Sequence, residues 1–402
     1  MVFDRGFRAL SYRTFQLFFA GQLVSISGSW MQLMVQSWLI YRLTGSAAWV
    51  GALAFASQVM AFVVSPIAGA LADKWDRRKI LLWSEFLGFL QSGVLALMMF
   101  TGSVESLYLV LLSLPAGIVT GFELTTRHAL TADLVPREAL GSAIALNSGM
   151  LNASRIVGPA LGGLLLSVLS QNSEAWCFAM NSLSYLFVCL CLLVMKIPAQ
   201  HAEGSGAVHE SHTAPYFKEL ISYLREQKSI RQIYLFVGIL SALGFTYSVI
   251  FTVISKTLLQ GDAQTLAWLN TAGGLGAIIS AFQVQGRQTE SDLKDLKAVI
   301  YKRMRVLGLC LLVVSNSNLL GLSLAMSFLI GYCLMGTFPL LNTAVQLRVQ
   351  DALRGRVMSL YMMIYLIGVP VGQLLMGFAI DHWGLMTSSV LVSALCVATT
   401  FF

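Results

Sequence analysis

Two carboxylic acids, Glu85 and Glu123, stand inside long apolar stretches of the sequence. A carboxyl group held away from water is disfavoured in its charged form, which is a property that a proton carrier requires. Either residue is therefore a candidate for proton binding. The structural alternative is an ion pair with Arg127 or with the basic residues that follow Asp76.

A second set of polar residues repeats at intervals of three or four along the first apolar run. A helix of 3.6 residues per turn places such residues on one face, here about 21 Å long. The face could line a cavity for an amphipathic substrate, or it could make hydrogen bonds between packed helices. We favour the cavity because five positions agree: Gln22, Ser25, Ser29, Gln32 and Gln36.

A third polar face combines Ser148, Asn152 and Arg155. Arg155 is the basic residue that we place well inside an apolar run, where it could bind an anionic substrate or form a proton-sensitive ion pair. Its structural alternative is a bond to helix carbonyls or to a carboxylate on another helix. In the second half of the chain, Tyr361 and Tyr365 are further candidate cavity residues, together with Tyr247, Asn270, Asn342, Gln346 and Gln373.

The elements that would position these side chains are long apolar helices. The chain is 56% hydrophobic and 11% charged, whereas soluble domains are about 45–50% apolar and about 25% charged. A membrane span needs roughly 20 apolar residues. The sequence therefore predicts an all-α membrane protein with twelve transmembrane helices, near residues 14–41, 47–72, 79–101, 105–128, 139–169, 174–196, 232–258, 263–285, 300–319, 320–346, 356–381 and 385–402.

The distribution of positive charge supports this count. With twelve spans, both termini and every second connection lie on one side of the membrane, and nearly all of the 26 Lys and Arg residues fall there. The exceptions are Arg42 and Lys256 on the opposite side and Arg155 inside a span. Positive charge is enriched on the cytoplasmic side, so both termini are predicted to be cytoplasmic.

A polar stretch divides the chain into two halves. We predict an N-terminal six-helix bundle at 1–196, a cytoplasmic linker at 197–231 and a C-terminal six-helix bundle at 232–402. Residues 216–231 have the apolar spacing of a short amphipathic surface helix. Three histidines, His201, His209 and His212, fit a solvated linker better than a metal site. The halves are predicted to be pseudo-symmetric, as in proteins that work by alternating access.

Three motifs resemble those of the major facilitator superfamily. The turn Gly69-x-Leu71-x-Asp73-x-x-x-Arg77-Arg78-Lys79 resembles its signature turn, although Asp76 stands where the family usually has Gly. The segment from Asn152 to Gly163 resembles the Gly-Pro motif of its antiporters, but 114–123 lacks the Arg that many of them carry there. Residues 134–138, 145–148 and 155–159 resemble the bacterial exporter branch that includes the enterobactin exporter and macrolide efflux proteins.

The resemblance implies a fold and a function. It implies that Gly69, Asp73, Arg77 and Arg78 form a conformational latch, in which Asp73 faces the start of the eleventh span near residues 355–356. It also implies a monomeric exporter in the bacterial inner membrane, surrounded by lipid, that uses protons to move a drug, a siderophore or a lipid-like molecule.

Other function classes find less support in the sequence. It contains no phosphate-binding loop of the form Gly-x-x-x-x-Gly-Lys-[Ser/Thr], and no catalytic, metal, cofactor or nucleic-acid motif stands out. The prediction is therefore a secondary active transporter and not an enzyme. The alternative is a lipid scramblase or a similar membrane protein without ion coupling.

Overall fold

A computed structural model of the chain describes residues 7–169, 171–195, 227–284, 292–350 and 353–401. The regular structure of these residues is helical. In chain order the helices are α1 (Arg13–Thr44), α2 (Ala47–Ala72), α3 (Arg77–Phe100), α4 (Ser106–Asp133), α5 (Arg137–Val168), α6 (Ser173–Val194), α7 (Lys228–Gly244), α8 (Tyr247–Thr257), α9 (Ala263–Val284), α10 (Asp292–Val314), α11 (Leu320–Gln346), α12 (Arg354–Trp383) and α13 (Leu385–Ala398).

Local sequence explains several of the helix boundaries. α1 ends at Gly45, which adopts a left-handed φ of 66° that glycine tolerates without strain. α3 begins after Asp76, whose side chain accepts hydrogen bonds from the backbone N–H groups of Arg78 and Lys79. α12 ends at Gly384, with φ of 82°. These residues turn the chain between successive long helices.

Nine helical segments in the described part of the chain are long and apolar enough to cross a membrane. Each predicted apolar run lies on one helix, or on two in the case of 232–258, and three of the runs lie on helices outside the nine. The three are α1, which contains the polar glutamine and serine residues noted above, α10, which begins in the charged sequence that precedes residue 300, and α13, which has only 14 residues. The all-helical membrane fold is confirmed, while twelve crossings remain a prediction.

The predicted run at 232–258 is interrupted in the structure. α7 ends at Gly244, and α8 begins at Tyr247. The side chain of Gln373, on α12, donates hydrogen bonds to Ser248 Oγ at 2.8 Å and to the Phe245 carbonyl at 3.4 Å. A polar side chain that supports backbone groups at a break is the usual way in which an apolar interior tolerates one.

The chain separates into two compact units. The first contains residues 1–205 with Gly261–Thr271, and the second contains residues 206–260 and 272–402. In the first unit α1 packs on α5 and α6, α2 on α4, and α3 on α4 and α6. In the second, α7 packs on α12, α10 on α11 and α13, and α12 on α13. The six cysteines are buried and free. The three histidines and most of the predicted surface helix lie outside the described residues. Of the 197–231 segment, the structure describes only residues 227–231.

Candidate functional site

Glu85 lies at the centre of a buried polar cluster in the first unit. Its side chain is fully buried on α3, about 12 Å along the helix from Arg77. Gln22 Nε2 donates to Glu85 Oε1 at 2.8 Å, and Ser25 Oγ donates to Glu85 Oε2 at 3.2 Å. Both donors come from one face of α1. Each carboxyl oxygen therefore has its own partner, and neither partner carries a charge.

The polar face of α1 continues into contacts with α3 and α6. Ser29 Oγ and Tyr185 Oη share a hydrogen bond of 2.9 Å. Gln32 Nε2 donates to Gln91 Oε1 at 3.0 Å, and Gln32 Oε1 accepts from Asn181 Nδ2 at 2.8 Å. Gln36 is also buried. The structure thus places this face among packed helices of the first unit; its assignment to a substrate cavity remains a prediction.

Glu123 has a different environment. It forms an ion pair with Arg127 one turn further along α4, with Arg127 Nη1 at 2.7 Å from Glu123 Oε1, and both side chains are almost fully buried. This is the pairing that the sequence offered as the structural alternative. Glu85 lies within electrostatic range of both Glu123 and Arg127. The interior of the first unit therefore holds two carboxyl groups near one guanidinium.

The polar face of α5 is more open. Ser148 is exposed, and Asn152 Nδ2 donates to the Ser148 carbonyl at 2.9 Å. The Arg155 guanidinium carbon lies 5.3 Å from the centroid of the Trp30 ring, a cation–π distance. The structure thus brings Arg155 to the side of α1, beside the Trp30 ring.

Glycine allows this approach of α5 to α1. A Cβ on Gly158 would lie 2.5 Å from the Ser27 carbonyl oxygen and 2.6 Å from Trp30 Cβ. A Cβ on Gly162 would likewise lie 2.7 Å from Met34 Cε, so both glycines pack closely on α1. Because Gly158 is one turn from Arg155, the same contact positions the arginine next to Trp30.

The charged turn between α2 and α3 is tied to its own unit. Arg77 Nη1 lies 2.8 Å from Asp133 Oδ2 at the end of α4, and Arg78 donates to the Leu193 carbonyl near the end of α6 at 2.8 Å. Asp76 caps α3, which gives a physical reason for an Asp at this position. Asp73 is exposed and follows the last residue of α2, one turn after Gly69. The latch assignment stays a prediction.

In the second unit, the two predicted tyrosines lie in an aromatic cluster. Tyr361 is buried and donates to the Phe338 carbonyl at 3.0 Å. The Tyr365 ring lies 4.7 Å from Phe338 and 5.9 Å from Phe245, edge to face. This cluster borders the break between α7 and α8.

Two arginines that the sequence analysis counted among the cytoplasmic charges, Arg127 and Arg303, are buried. Arg127 lies inside α4, and Arg303 is buried with its guanidinium 4.9 Å from the Tyr332 ring. α10 begins at Asp292, so Arg303 stands near the middle of this helix. The side of the membrane on which the two arginines lie stays a prediction. The sequence analysis did not select Asn181 and Tyr185, which make hydrogen bonds with the polar face of α1. Their spacing of four residues, which places both on one face of α6, could have indicated them.

Comparison with known proteins decides the family. The chain matches the family described as transmembrane secretion effector over residues 5–402. The chain belongs to this family, within the major facilitator superfamily. The resemblance drawn from the three sequence motifs is confirmed, and the protein is a multi-pass membrane transporter by family.

Relatives of this transporter match along almost their whole lengths. The staphyloferrin A transporter of Staphylococcus aureus (strain NCTC 8325 / PS 47) is 26% identical, with 96% of this chain and 94% of the relative covered. The multidrug efflux pump Tap of Mycolicibacterium fortuitum is 24% identical, with 92% and 90% covered. Macrolide efflux protein A of Streptococcus pyogenes is 22% identical, with 96% and 94% covered.

Solved structures of the superfamily share the fold of this transporter. The nucleoside transporter NupG has a TM-score of 0.71 at 12% identity, with 97% of this chain and 98% of that chain covered. The xylose transporter XylE from E. coli has a TM-score of 0.70 at 10% identity, with 97% and 95% covered. At these identities the likeness establishes the fold and carries no information about substrate.

Proposed function

We propose that this transporter exports an amphipathic small molecule by alternating access, powered by the proton gradient. The family match and the efflux relatives support export. In this proposal twelve spans form two six-helix halves, at 1–196 and 232–402, joined by a cytoplasmic linker. Both termini lie in the cytoplasm, and the protein acts as a monomer in the bacterial inner membrane.

The buried cluster around Glu85 is the observation that carries proton coupling. Burial and the two neutral donors, Gln22 and Ser25, have opposite effects on the charge of this carboxyl group, because burial opposes the charge while hydrogen bonds to the carboxylate favour it. A change in hydration of α1, α3 and α6 during the cycle would alter this balance. Glu85 would then bind a proton in one state and release it in the other.

Glu123 and Arg127 have a supporting role in the proposal. Their ion pair is close enough to Glu85 to influence its charge. When Glu85 is ionised, the cluster holds two negative charges and one positive charge; when Glu85 is protonated, the cluster is neutral. The protonated cluster is therefore the less costly one to keep in a dry interior, and this links the occupancy of Glu85 to the conformation.

The cargo class follows from the relatives and from the polar faces. Names of the relatives refer to staphyloferrin A, to multiple drugs and to macrolides. In the first unit, Arg155 and Asn152 on α5 and Trp30 on α1 bring together a cation, an amide and an aromatic ring. In the second unit, Tyr361 and Tyr365 on α12 are proposed cavity residues as well. Such a mixture suits a molecule that has both polar groups and apolar surface.

Transport assays in reconstituted vesicles test the proposal. Purified protein is placed in liposomes with an imposed pH gradient, and movement of the macrolide erythromycin is followed together with that of a fluorescent lipid. Erythromycin movement that requires the gradient supports proton-driven export. Lipid movement that is independent of the gradient, without drug transport, would instead establish the scramblase alternative.

A further inference from the structure

The ring of Tyr185, on α6, is packed against α3 one helical turn from Glu85. Gly88 follows Glu85 by three residues, so the two lie on the same face of α3. A Cβ on Gly88 would lie 2.7 Å from Tyr185 Cε1 and 2.8 Å from Tyr185 Cζ. The ring therefore occupies the space that a side chain at position 88 would need.

α1 holds the hydroxyl group of this ring. Ser25 donates to Glu85, and Ser29, one turn further along α1, shares a hydrogen bond of 2.9 Å with Tyr185 Oη. Ser29 Oγ also donates to the Ser25 carbonyl at 3.0 Å. Because a serine hydroxyl has one proton, Tyr185 is the donor in its bond with Ser29.

Beyond the ring, the same three helices form a second polar layer. Its side chains are joined by hydrogen bonds of 2.6–3.2 Å and belong to Gln32, Gln91, Ser92 and Asn181. Gln91 Nε2 in this layer and Gln22 Oε1 beside Glu85 are buried and have no hydrogen-bond partner among the described residues. Water commonly satisfies such atoms. The Tyr185 ring lies between the two layers that water would enter.

The neighbours of Glu85 restrict how it exchanges a proton. The charged and titratable groups within electrostatic range are Glu123 and Arg127 from α4 and Tyr185 and Cys189 from α6. The two hydrogen-bond partners on α1 are neutral. A carboxyl group exchanges its proton with a group in hydrogen-bond reach or through water, so exchange with bulk water requires a path past these neighbours.

We propose that Tyr185 is a positioning residue that controls the access of water to Glu85 from the layer of Gln32 and Gln91. With its hydroxyl group on Ser29, the ring separates this layer from the carboxyl group. When the bond opens and the ring leaves Gly88, water joins the two layers. The Glu85 O–H bond then breaks and its proton passes to water, while Tyr185 keeps its own proton.

The role of Tyr185 in proton exchange rests on the proton coupling at Glu85 that is proposed above. Its role as a barrier to water does not, since it follows from the packing on Gly88 and the bond to Ser29. The ordinary alternative is that Tyr185 only fills space between α3 and α6. Two measurements separate these roles, one of access to the carboxyl group and one of proton movement.

Chemical labelling of Glu85 in the purified full-length protein measures access. The probe is a water-soluble carbodiimide with glycine ethyl ester, and the amide formed at each acid is measured by peptide mass spectrometry. We expect labelling about fivefold faster in Tyr185→Phe and in Ser29→Ala, since each removes one hydrogen bond and keeps an aromatic ring. The variant with both changes should label at the same rate as either one, because both remove the same bond.

Matched controls come from the same part of the chain. Ser37→Ala, whose hydroxyl bonds only the Leu33 carbonyl of its own helix among the described contacts, and Tyr108→Phe, at an exposed tyrosine, should label as wild type does. Glu174, a buried acid on α6, is the internal reference. Equal labelling of Glu85 in wild type and both single variants overturns the proposal. An equal rise at Glu174 also overturns it, because that result indicates general loosening.

Proton movement is measured in liposomes with a pH gradient and no drug, with a pH-sensitive dye inside. Tyr185→Phe should dissipate the gradient about threefold faster or more than wild type, and Tyr185→Phe/Glu85→Gln should return to the wild-type rate. Faster labelling without faster dissipation overturns the role in proton exchange. Failure of the proposed function has a different signature, because Glu85→Gln would then keep full gradient-driven transport while the labelling result stands.

Discussion

At the scale of single residues, Glu85 and Glu123 differ in the partners that hold them. Glu85 receives two neutral donors from α1, whereas Glu123 has a full countercharge one turn away on its own helix. Removing the charge of Glu85 therefore leaves no other charge unpaired, while removing the charge of Glu123 isolates Arg127. The two acids should respond differently to the same substitution.

Glu85→Gln should abolish proton-driven transport and leave the fold intact. The amide oxygen of Gln still accepts from Gln22 or Ser25, so the loss of stability should stay within about 1 kcal/mol. The measurements are erythromycin transport under a pH gradient and the melting temperature in detergent. Glu105→Gln, at an exposed acid before α4, should transport as wild type does. Full gradient-driven transport by Glu85→Gln would remove this residue from the coupling scheme.

Glu123→Gln should impair transport and also destabilise the protein. Arg127 would remain buried without its countercharge, a change that costs about 3 kcal/mol in buried ion pairs. Changing both residues, in Glu123→Gln/Arg127→Gln, removes the isolated charge and should restore most of the stability without restoring proton-driven transport. If Glu123→Gln alone is as stable as wild type, the ion pair is hydrated in the membrane.

The sequence was sufficient to find both acids but not their partners. An acidic residue in an apolar run is visible without a structure. The donors of Glu85 come from α1, 63 and 60 residues away, and such contacts depend on which helix faces which. The stripe on α1 was recognised by its spacing, yet spacing gives a face without saying whether that face meets water or another helix.

At the scale of the helices, close packing of α5 on α1 depends on the absence of a side chain at Gly158. A methyl group there would meet the Ser27 carbonyl and the Trp30 side chain at less than the contact distance. Gly158→Ala should therefore separate the helices and destabilise the protein by about 1–3 kcal/mol. Because Trp30 also contacts Arg155, transport should fall together with the melting temperature.

Gly149→Ala is the matched control for this helix contact. It lies on the same helix with no atom within 4 Å of the added methyl group. Alanine favours the helix by about 0.5–1 kcal/mol relative to glycine, so this variant should be neutral or slightly stabilised. If both alanine variants melt at the same temperature as wild type, the α1–α5 contact does not limit stability.

Helix boundaries were less predictable than helix existence. All the apolar runs lie on helices because hydropathy over roughly 20 residues is a strong signal. The break at Phe245 escaped prediction since its support, Gln373, comes from a distant helix. The early start of α10 escaped prediction because charged residues before position 300 suggested a loop.

At the scale of the whole molecule, the proposal requires two halves that exchange between states, and Asp73 is the residue assigned to hold one of them. The turn itself is fixed to the first unit through Arg77 and Arg78. Asp73 is exposed beside these fixed residues. A rigidly held turn with an exposed carboxylate can act on the other half of the protein without changing its own shape. In the latch proposal, the N-terminus of a helix in the other half would attract the negative charge of Asp73.

Asp73→Asn should shift the population toward the inward-facing state without destabilising either half. The reporter is Ser148→Cys on the exposed face of α5, labelled by an impermeant maleimide from the cytoplasmic side; the native cysteines are buried and give a low background. We expect labelling of Asp73→Asn to be about fivefold faster, which corresponds to a coupling of about 1 kcal/mol. Asp76→Ala instead removes the cap of α3 and should lower stability by about 1 kcal/mol with unchanged labelling. Equal labelling rates in wild type and Asp73→Asn would show that Asp73 does not bias the two states, because a residue that holds one state must alter the population when its charge is removed.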